Sequence, residues 1–148
     1  MSRADDDARR LRVVVVDADR RVRDSLSGLL ELGDELEVVG QAGQPGAALD
    51  LCAERDPDVV IVDPRLPDVD AGAALVMEVR ARFPGTVVLV LSWPGSATDG
   101  DARAMGADGV LSKSAAPHEL AEQVVALVRV ARPGRARGGR PGAGGTRC

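Results

Sequence analysis

Short apolar runs alternate with longer stretches of helical periodicity between residues 11 and 131. The runs are bounded by Gly, Pro and Asp and do not alternate with polar residues, which is typical of strands buried on both faces. In the stretches between them, apolar residues recur every three or four positions, which predicts helices. The predicted strands lie at 13–16, 36–39, 59–62, 87–91 and 109–111, and the predicted helices at 20–32, 46–54, 72–82, 99–105 and 118–131.

This order of elements predicts an α/β fold, a doubly wound five-stranded parallel sheet with helices on both faces. A length of 148 residues fits one such domain with short flanking segments. We assign residues 1–10 to an N-terminal extension, 11–131 to the domain and 132–148 to a tail. The tail is rich in Arg, Gly and Pro and has almost nothing to bury, so we predict that it is disordered.

Charge is distributed unevenly between the domain and the tail. The formal net charge is −4, and residues 132–148 hold five Arg and no acid, which leaves −9 on residues 1–131. An acidic body argues against nucleic-acid binding across the folded surface, since phosphate contacts need clustered Lys and Arg. We therefore expect contact with DNA only indirectly, or through an output domain that is not in this chain.

Location follows from what the chain lacks. No apolar run approaches the roughly 18 residues of a membrane span, and the N-terminus lacks the apolar core of a signal peptide. Cys52 and Cys148 are the only cysteines, too few for a disulfide framework. The sequence therefore predicts a cytoplasmic protein without a membrane partner.

Polar side chains follow the predicted strands. Asp17 follows the first strand, Asp63 the third, Ser92 the fourth and Lys113 the fifth. The carboxyl ends of parallel strands meet at one edge, where ligands bind at the point at which the strand order reverses. For a strand order of 2-1-3-4-5 that point lies between strands 1 and 3, so Asp17 and Asp63 would be neighbours. Two adjacent carboxylates suit Mg²⁺, which keeps several waters and often shares a phosphate.

Four segments together resemble the receiver domain of two-component response regulators, most closely the receivers that carry a C-terminal helix-turn-helix. The resemblance covers about residues 11–131 and implies a flavodoxin-like sheet of order 2-1-3-4-5. The segments that carry it are VVVVDADRRVRDSL at 13–26, PDVVIVDPRLPDVDAG at 57–72, VVLVLS at 87–92 and GADGVLSKS at 106–114.

The resemblance implies a signalling domain, not a metabolic enzyme, and assigns roles to individual residues. Asp63 would accept a phosphoryl group from a histidine kinase and so switch protein interactions. Mg²⁺ would be held by Asp17, Asp63 and the backbone carbonyl of Arg65. Ser92 and Lys113 would contact the phosphoryl oxygens.

Three of the positions that depart from the family pattern bear on the site. Ala18 replaces the second acid after the first strand, normally a direct metal ligand, so Mg²⁺ affinity should fall. Asp19 lies one residue further on and either assists the metal through water or simply caps the first helix. Trp93 occupies a position that is usually small and would restrict access to Asp63. Val110 replaces the aromatic switch residue, which removes the usual ring rotation.

These departures keep two further functions open. The first is a pseudo-receiver, meaning a receiver fold that acts without phosphorylation as a dimerisation or ligand-binding module. The second is a phosphatase resembling the haloacid dehalogenases, in which Asp17 would be the nucleophile and Asp19 the acid. The second hypothesis leaves Asp63 without a role.

The last predicted helix carries more apolar residues than one stripe needs. Leu120, Val124 and Leu127 are predicted to face the sheet, while Val125 and Val128 lie on a neighbouring side with Ala121. That neighbouring side is either a homodimer interface or part of a wide core stripe.

Overall fold

The strands and helices follow one another in the predicted order. The computed structural model describes residues 10–63, 69–92, 106–112 and 114–132, with only the backbone of Val69 and Ser92. The predicted helix over 99–105 lies outside the described residues. The strands are β1 (Leu11–Val16), β2 (Leu36–Ala42), β3 (Val59–Val62), β4 (Val87–Ser92) and β5 (Gly109–Ser112), and the helices are α1 (Arg20–Leu30), α2 (Pro45–Arg55), α3 (Val69–Arg82) and α4 (Pro117–Ala131).

The five strands form one parallel sheet of order β2-β1-β3-β4-β5, which confirms the predicted fold class. The strand order reverses between β1 and β3, where Val16 pairs with Val62. Residues 17 and 63 therefore leave the sheet at the same level on neighbouring strands. We call this end of the sheet the carboxyl edge, and the end where the strands begin the amino edge.

Successive residues of the central strands point to opposite faces of the sheet, so both faces are apolar. Val13, Val15 and Ile61 join one core cluster under α1 and α4. Val14 and Val16 join the other, under α2 and α3. Because valine and leucine fill both clusters, the central strands have no solvated face and their sequences show no alternation.

Strand β2 departs from the prediction that every strand is buried on both faces. Leu36 is buried, but Glu37 is exposed and Val38 and Val39 are half-buried. The cause is position in the sheet, because β2 pairs only with β1 and forms an outer strand. The strand order implied by the resemblance already puts this strand at the outside of the sheet, but its run of apolar residues did not indicate the exposure.

Helix α4 is the longest described helix, and its apolar stripe is wide. Leu120, Val124, Val125 and Val128 are all buried, and Leu127 is half-buried. Two of the residues named for a dimer interface therefore belong to the core, and a homodimer through this helix stays a prediction. None of the described helices has the length and apolarity needed to cross a membrane.

The amino edge is fastened by a buried ion pair. Asp58, just before β3, accepts a hydrogen bond from the backbone N–H of Arg12 at 2.8 Å. The guanidinium of Arg132 lies 3.5 Å from the Asp58 carboxylate and donates to the Asp58 carbonyl at 2.9 Å. The two side chains are 2% and 4% exposed. Arg132, which the composition places at the start of the tail, thus contacts the interior of the domain.

A second aspartate repeats this arrangement before β5. Asp108 accepts a hydrogen bond from the backbone N–H of Val88 at 2.8 Å and pairs with Arg80 at 3.1 Å. Gly106, in the turn that precedes β5, has a φ of +104°, a conformation that residues with a side chain rarely adopt. Acids at the amino edge therefore cap the backbone of a neighbouring strand and are neutralised by arginines of the fold.

Candidate functional site at the carboxyl edge

Strand register brings the predicted site residues to one edge. Asp17 and Asp63 directly follow the paired residues Val16 and Val62. The N–H of Asp63 donates to the Val16 carbonyl at 3.0 Å, which continues the β1–β3 ladder to the first residue of the site. At the other side of the edge, Ser92 pairs with Ser112. The backbone therefore places Asp17 and Asp63 next to each other on neighbouring strands, as the predicted strand order required.

Asp17 is held firmly and lies in the interior. It is 3% exposed, and its N–H donates to the Ala42 carbonyl of β2 at 3.1 Å. Its Oδ1 accepts the N–H of Asp19 at 2.9 Å. Asp63 is half-buried. A buried carboxylate beside a more accessible one gives the edge a fixed acid and a reachable acid.

Asp19 caps the first helix, one of the two roles considered for it. Its Oδ1 accepts the N–H of Arg21 at 2.8 Å, and its extended backbone is that of an N-cap residue. Ala18, between the two acids, contributes no oxygen from its side chain. Of the two acids at positions 17–19, Asp17 lies at the carboxyl edge and Asp19 caps α1.

Arg23 holds the backbone of Asp17 in place, a role that was not predicted from the sequence. Its Nη1 donates to the Asp17 carbonyl at 2.8 Å, with the Ala18 carbonyl at 3.5 Å. A Cβ at Gly43 would lie 2.7 Å from the same Nη1, so a side chain there would displace the guanidinium. The available signal was an arginine one turn inside α1 together with a glycine just after β2.

Several predicted residues lie outside the description. Arg65, Trp93 and Lys113 fall in the segments that the structure does not describe, and Ser92 is described only by its backbone. Val110 is half-buried against the core cluster under α2 and α3. The roles predicted for these residues stay predictions.

The described residues also constrain metal and thiol chemistry. No three His, Cys, Asp or Glu side chains within the described ranges lie close enough together to hold a metal ion.

Burial raises the pKa of the Cys52 thiol from 9.0 to about 11, against a smaller opposing effect of Arg82. Cys52 therefore behaves as a small apolar residue of the core.

The fold and this edge define a class of signalling domain. The response regulator receiver domain family matches residues 13–125. The chain belongs to this family, which is that of two-component signalling.

The curated relatives are longer proteins that carry different names. A protein-glutamate methylesterase/protein-glutamine glutaminase of Anaeromyxobacter dehalogenans is 37% identical over 131 residues, which is 88% of this chain and 37% of the relative. The DNA-binding transcriptional activator DevR/DosR of Mycobacterium tuberculosis is 36% identical over 77% of this chain and 52% of its own length. The chain thus spans between a third and about half of these relatives, and the likeness concerns their receiver part.

Solved structures agree with this assignment. The signal receiver domain of NarL from Mycobacterium tuberculosis superposes with a TM-score of 0.72 at 31% identity, over 81% of this chain and 97% of that one. The response regulator domain of Thermotoga maritima CheB gives a TM-score of 0.67 at 24% identity, which supports the fold alone. The flavodoxin-like strand order predicted from the sequence is confirmed by these neighbours and by the sheet itself.

Proposed function

We propose that this chain is a phosphorylation-dependent switch, in which Asp63 accepts a phosphoryl group from a histidine kinase in the cytoplasm. The observation that carries the proposal is the β1–β3 register, which sets the half-buried Asp63 beside the buried Asp17 where the strand order reverses. Asp63 is the more accessible of the two acids and so the better nucleophile. Membership of the receiver family supports the same assignment.

The proposed reaction is an in-line displacement. A carboxylate oxygen of Asp63 attacks the phosphorus, the P–N bond to the kinase histidine breaks, and the freed imidazole nitrogen takes up a proton. Charge spreads over the equatorial oxygens, so catalysis rests on positioning and electrostatics. Ser92 and Lys113 are the residues proposed to hold those oxygens, because Ser92 is the last residue of β4 and Lys113 comes directly after β5 in the sequence.

The donor atoms of the edge fit Mg²⁺ with few protein ligands. Asp17 and Asp63 supply hard carboxylate oxygens on neighbouring strands, and Mg²⁺ accepts such sites because it keeps several waters. We propose that these two carboxylates and the Arg65 carbonyl hold the ion. When bound, Mg²⁺ would neutralise the charge that develops on the phosphoryl oxygens. Asp17 contributes a fixed orientation through its bond to the N–H of Asp19.

A pseudo-receiver is the second candidate, and positions 18 and 19 favour it. Ala18 removes one carboxylate from the edge, and Asp19 uses an oxygen to cap α1. Both features reduce the number of carboxylate oxygens available to a cation. Membership of the receiver family, by contrast, lends no support to the phosphatase hypothesis with Asp17 as nucleophile.

The test is the intact mass of the full chain after incubation with acetyl phosphate, with and without Mg²⁺. We expect an adduct of one phosphoryl group that needs Mg²⁺ and is lost in Asp63→Asn. Asp24→Asn, which removes an exposed carboxylate of α1, is the matched control and should be labelled like the natural chain.

Two results would redirect the assignment. If no adduct forms under conditions that label another receiver, the pseudo-receiver replaces the switch. If labelling survives Asp63→Asn but is lost in Asp17→Asn, the nucleophile is Asp17 and the proposed assignment is wrong.

The output is left open by the relatives themselves. One relative is named as a methylesterase and glutaminase and another as a transcriptional activator, yet both match this chain through the same domain. We propose that the chain acts on its target through protein contacts, and that any DNA contact is made by another domain.

A further inference from the structure

A groove separates α1 from α4 on the face of the sheet opposite α2 and α3. Its volume is about 420 Å³, within the roughly 300–1,000 Å³ range of small-molecule sites. Most of its lining is apolar. The residues that line it are Arg21, Val22, Ser25, Leu26, Leu29, Leu91, Ser112, Ala115 and Leu120.

The groove reaches the sheet near its carboxyl edge. Leu91 and Ser112 belong to the last two residues of β4 and β5, so the inner end of the groove lies at the ends of these two strands. Ser112 is already engaged, since its Oγ lies 2.9 Å from the Oγ of Ser114. The polar groups available to a bound molecule are therefore those of α1, Arg21 and Ser25.

On the wall of the groove that α1 forms, Arg21 places a positive charge in the first turn of the helix, where a helix disfavours positive charge. The first turn of α1 has no acidic residue, although helix N-termini favour negative charge. Arg20 is matched by Asp24, and Arg23 donates to loop carbonyls. Within the described ranges, the guanidinium of Arg21 has neither an ion pair nor a hydrogen bond. An exposed arginine that lines an apolar groove complements an anion.

We propose that this groove binds a small amphipathic anion, with an apolar body on Val22, Leu26 and Leu29 and its acidic group on Arg21 and the Ser25 hydroxyl. Two features argue for a small molecule: the volume matches one, and Arg21 is the only charged residue among those that form its mostly apolar lining. Asp63 is not among the residues that line the groove, so ligand binding there goes beyond the proposed function.

The experiment uses the full chain and two fluorescent probes of the same shape. One is 8-anilinonaphthalene-1-sulfonate, and the other is N-phenyl-1-naphthylamine, which lacks the sulfonate. We expect saturable binding of one sulfonate probe per chain. Amide shifts should be confined to groove residues such as Leu29, Leu91 and Ala115.

Three variants test the assignment. Ser25→Trp places a bulky side chain in the groove from an exposed position and should weaken both probes at least tenfold. Arg21→Gln should weaken the sulfonate probe about five- to tenfold and leave the neutral probe unchanged. Arg20→Gln removes a neighbouring charge that does not line the groove and should affect neither probe.

Several outcomes would overturn the proposal. Binding that does not saturate, or that is unchanged by Ser25→Trp, would show that the groove is not the site. Equal weakening of both probes in Arg21→Gln would remove the role of charge. If sedimentation shows a dimer that Ser25→Trp dissociates and that excludes the probe, the occupant is a second copy of the chain.

Discussion

Aspartates lie at both ends of the parallel sheet, and the two ends use them differently. At the amino edge, Asp58 and Asp108 each accept a backbone N–H from a neighbouring strand and pair with an arginine of the fold. At the carboxyl edge, Asp17 and Asp63 stand side by side on neighbouring strands. Acids at the amino edge stabilise the fold through arginines, whereas acids at the carboxyl edge bring two like charges to neighbouring strands.

Breaking the buried ion pair at the amino edge should have the largest effect on stability. Removing one partner of a buried pair leaves the other charge uncompensated, which typically costs about 3–5 kcal/mol. We expect Arg132→Met to lower the free energy of unfolding by about that amount, because Asp58 stays buried. Urea unfolding measures the change.

Arg20→Ala serves as the control for that variant. It removes a highly exposed pair with Asp24, worth about 0–1 kcal/mol. Equal losses in the two variants would mean that the Arg132 pair contributes no more than a surface pair. Phosphorylation of the folded fraction should be unchanged in both variants, since neither residue lies at the carboxyl edge.

The buried thiol near the end of α2 predicts a loss of stability in alkali. The pKa of Cys52 is raised to about 11 in the folded chain, so the unfolded chain releases its proton first as the pH rises above 9. Stability linked to Cys52 is therefore complete below pH 9 and falls between pH 9 and 11, by about 2–3 kcal/mol in total.

Comparing the natural chain with Cys52→Ala isolates this contribution. The difference in unfolding free energy between them should change over pH 9–11 and stay constant below pH 9. A constant difference across the whole range would contradict the raised pKa.

Adding a carboxylate to the carboxyl edge should sharpen the contrast between the edges. Ala18→Asp should tighten Mg²⁺ binding by about tenfold, which is ~1.4 kcal/mol, because affinity rises with the charge of the ligand set. Without Mg²⁺ the same variant should be less stable than the natural chain, since a further like charge joins Asp17 and Asp63.

Calorimetric titration with Mg²⁺ measures the binding, and urea unfolding with and without the ion measures the stability. Ala53→Asp adds the same charge at an exposed position of α2 and should change neither result. Unchanged Mg²⁺ affinity in Ala18→Asp would show that position 18 does not face the ion.

The smallest effect is expected at the helix cap. Asp19→Ala should cost about 1 kcal/mol, as the loss of an N-cap side chain usually does. Asp19→Asn keeps an accepting oxygen and should cost much less. A drop in Mg²⁺ affinity in Asp19→Asn would assign this carboxylate to the metal as well as to the helix.

The central strands could be predicted because burial on both faces leaves a direct trace in the sequence. Runs such as residues 59–62 consist only of valine and isoleucine, and all four residues are buried as expected. The pairing of Asp17 with Asp63 was also predictable, because it follows from the strand order and from the last residue of each strand.

The structural features that could not be predicted from the sequence depend on contacts between residues far apart in the chain. Arg132 looks like the first residue of an Arg/Gly/Pro segment, and nothing near it points to Asp58, which lies 74 positions earlier. The exposure of β2 and the burial of Val125 likewise follow from the arrangement of the sheet and not from local periodicity. An aspartate directly before an apolar run, as Asp58 is before β3, was the one available hint of a buried acid.

The anchoring of Arg132 also settles where attachments can be made to this protein. Helix α4 starts after β5 and ends at the amino edge. Its 15 residues give it a length of about 22 Å. A dye, an affinity tag or a fused reporter joined after residue 132 would be connected at the side of the domain away from Asp63. Immobilising the chain through its C-terminal segment should therefore leave the carboxyl edge open to a kinase in solution.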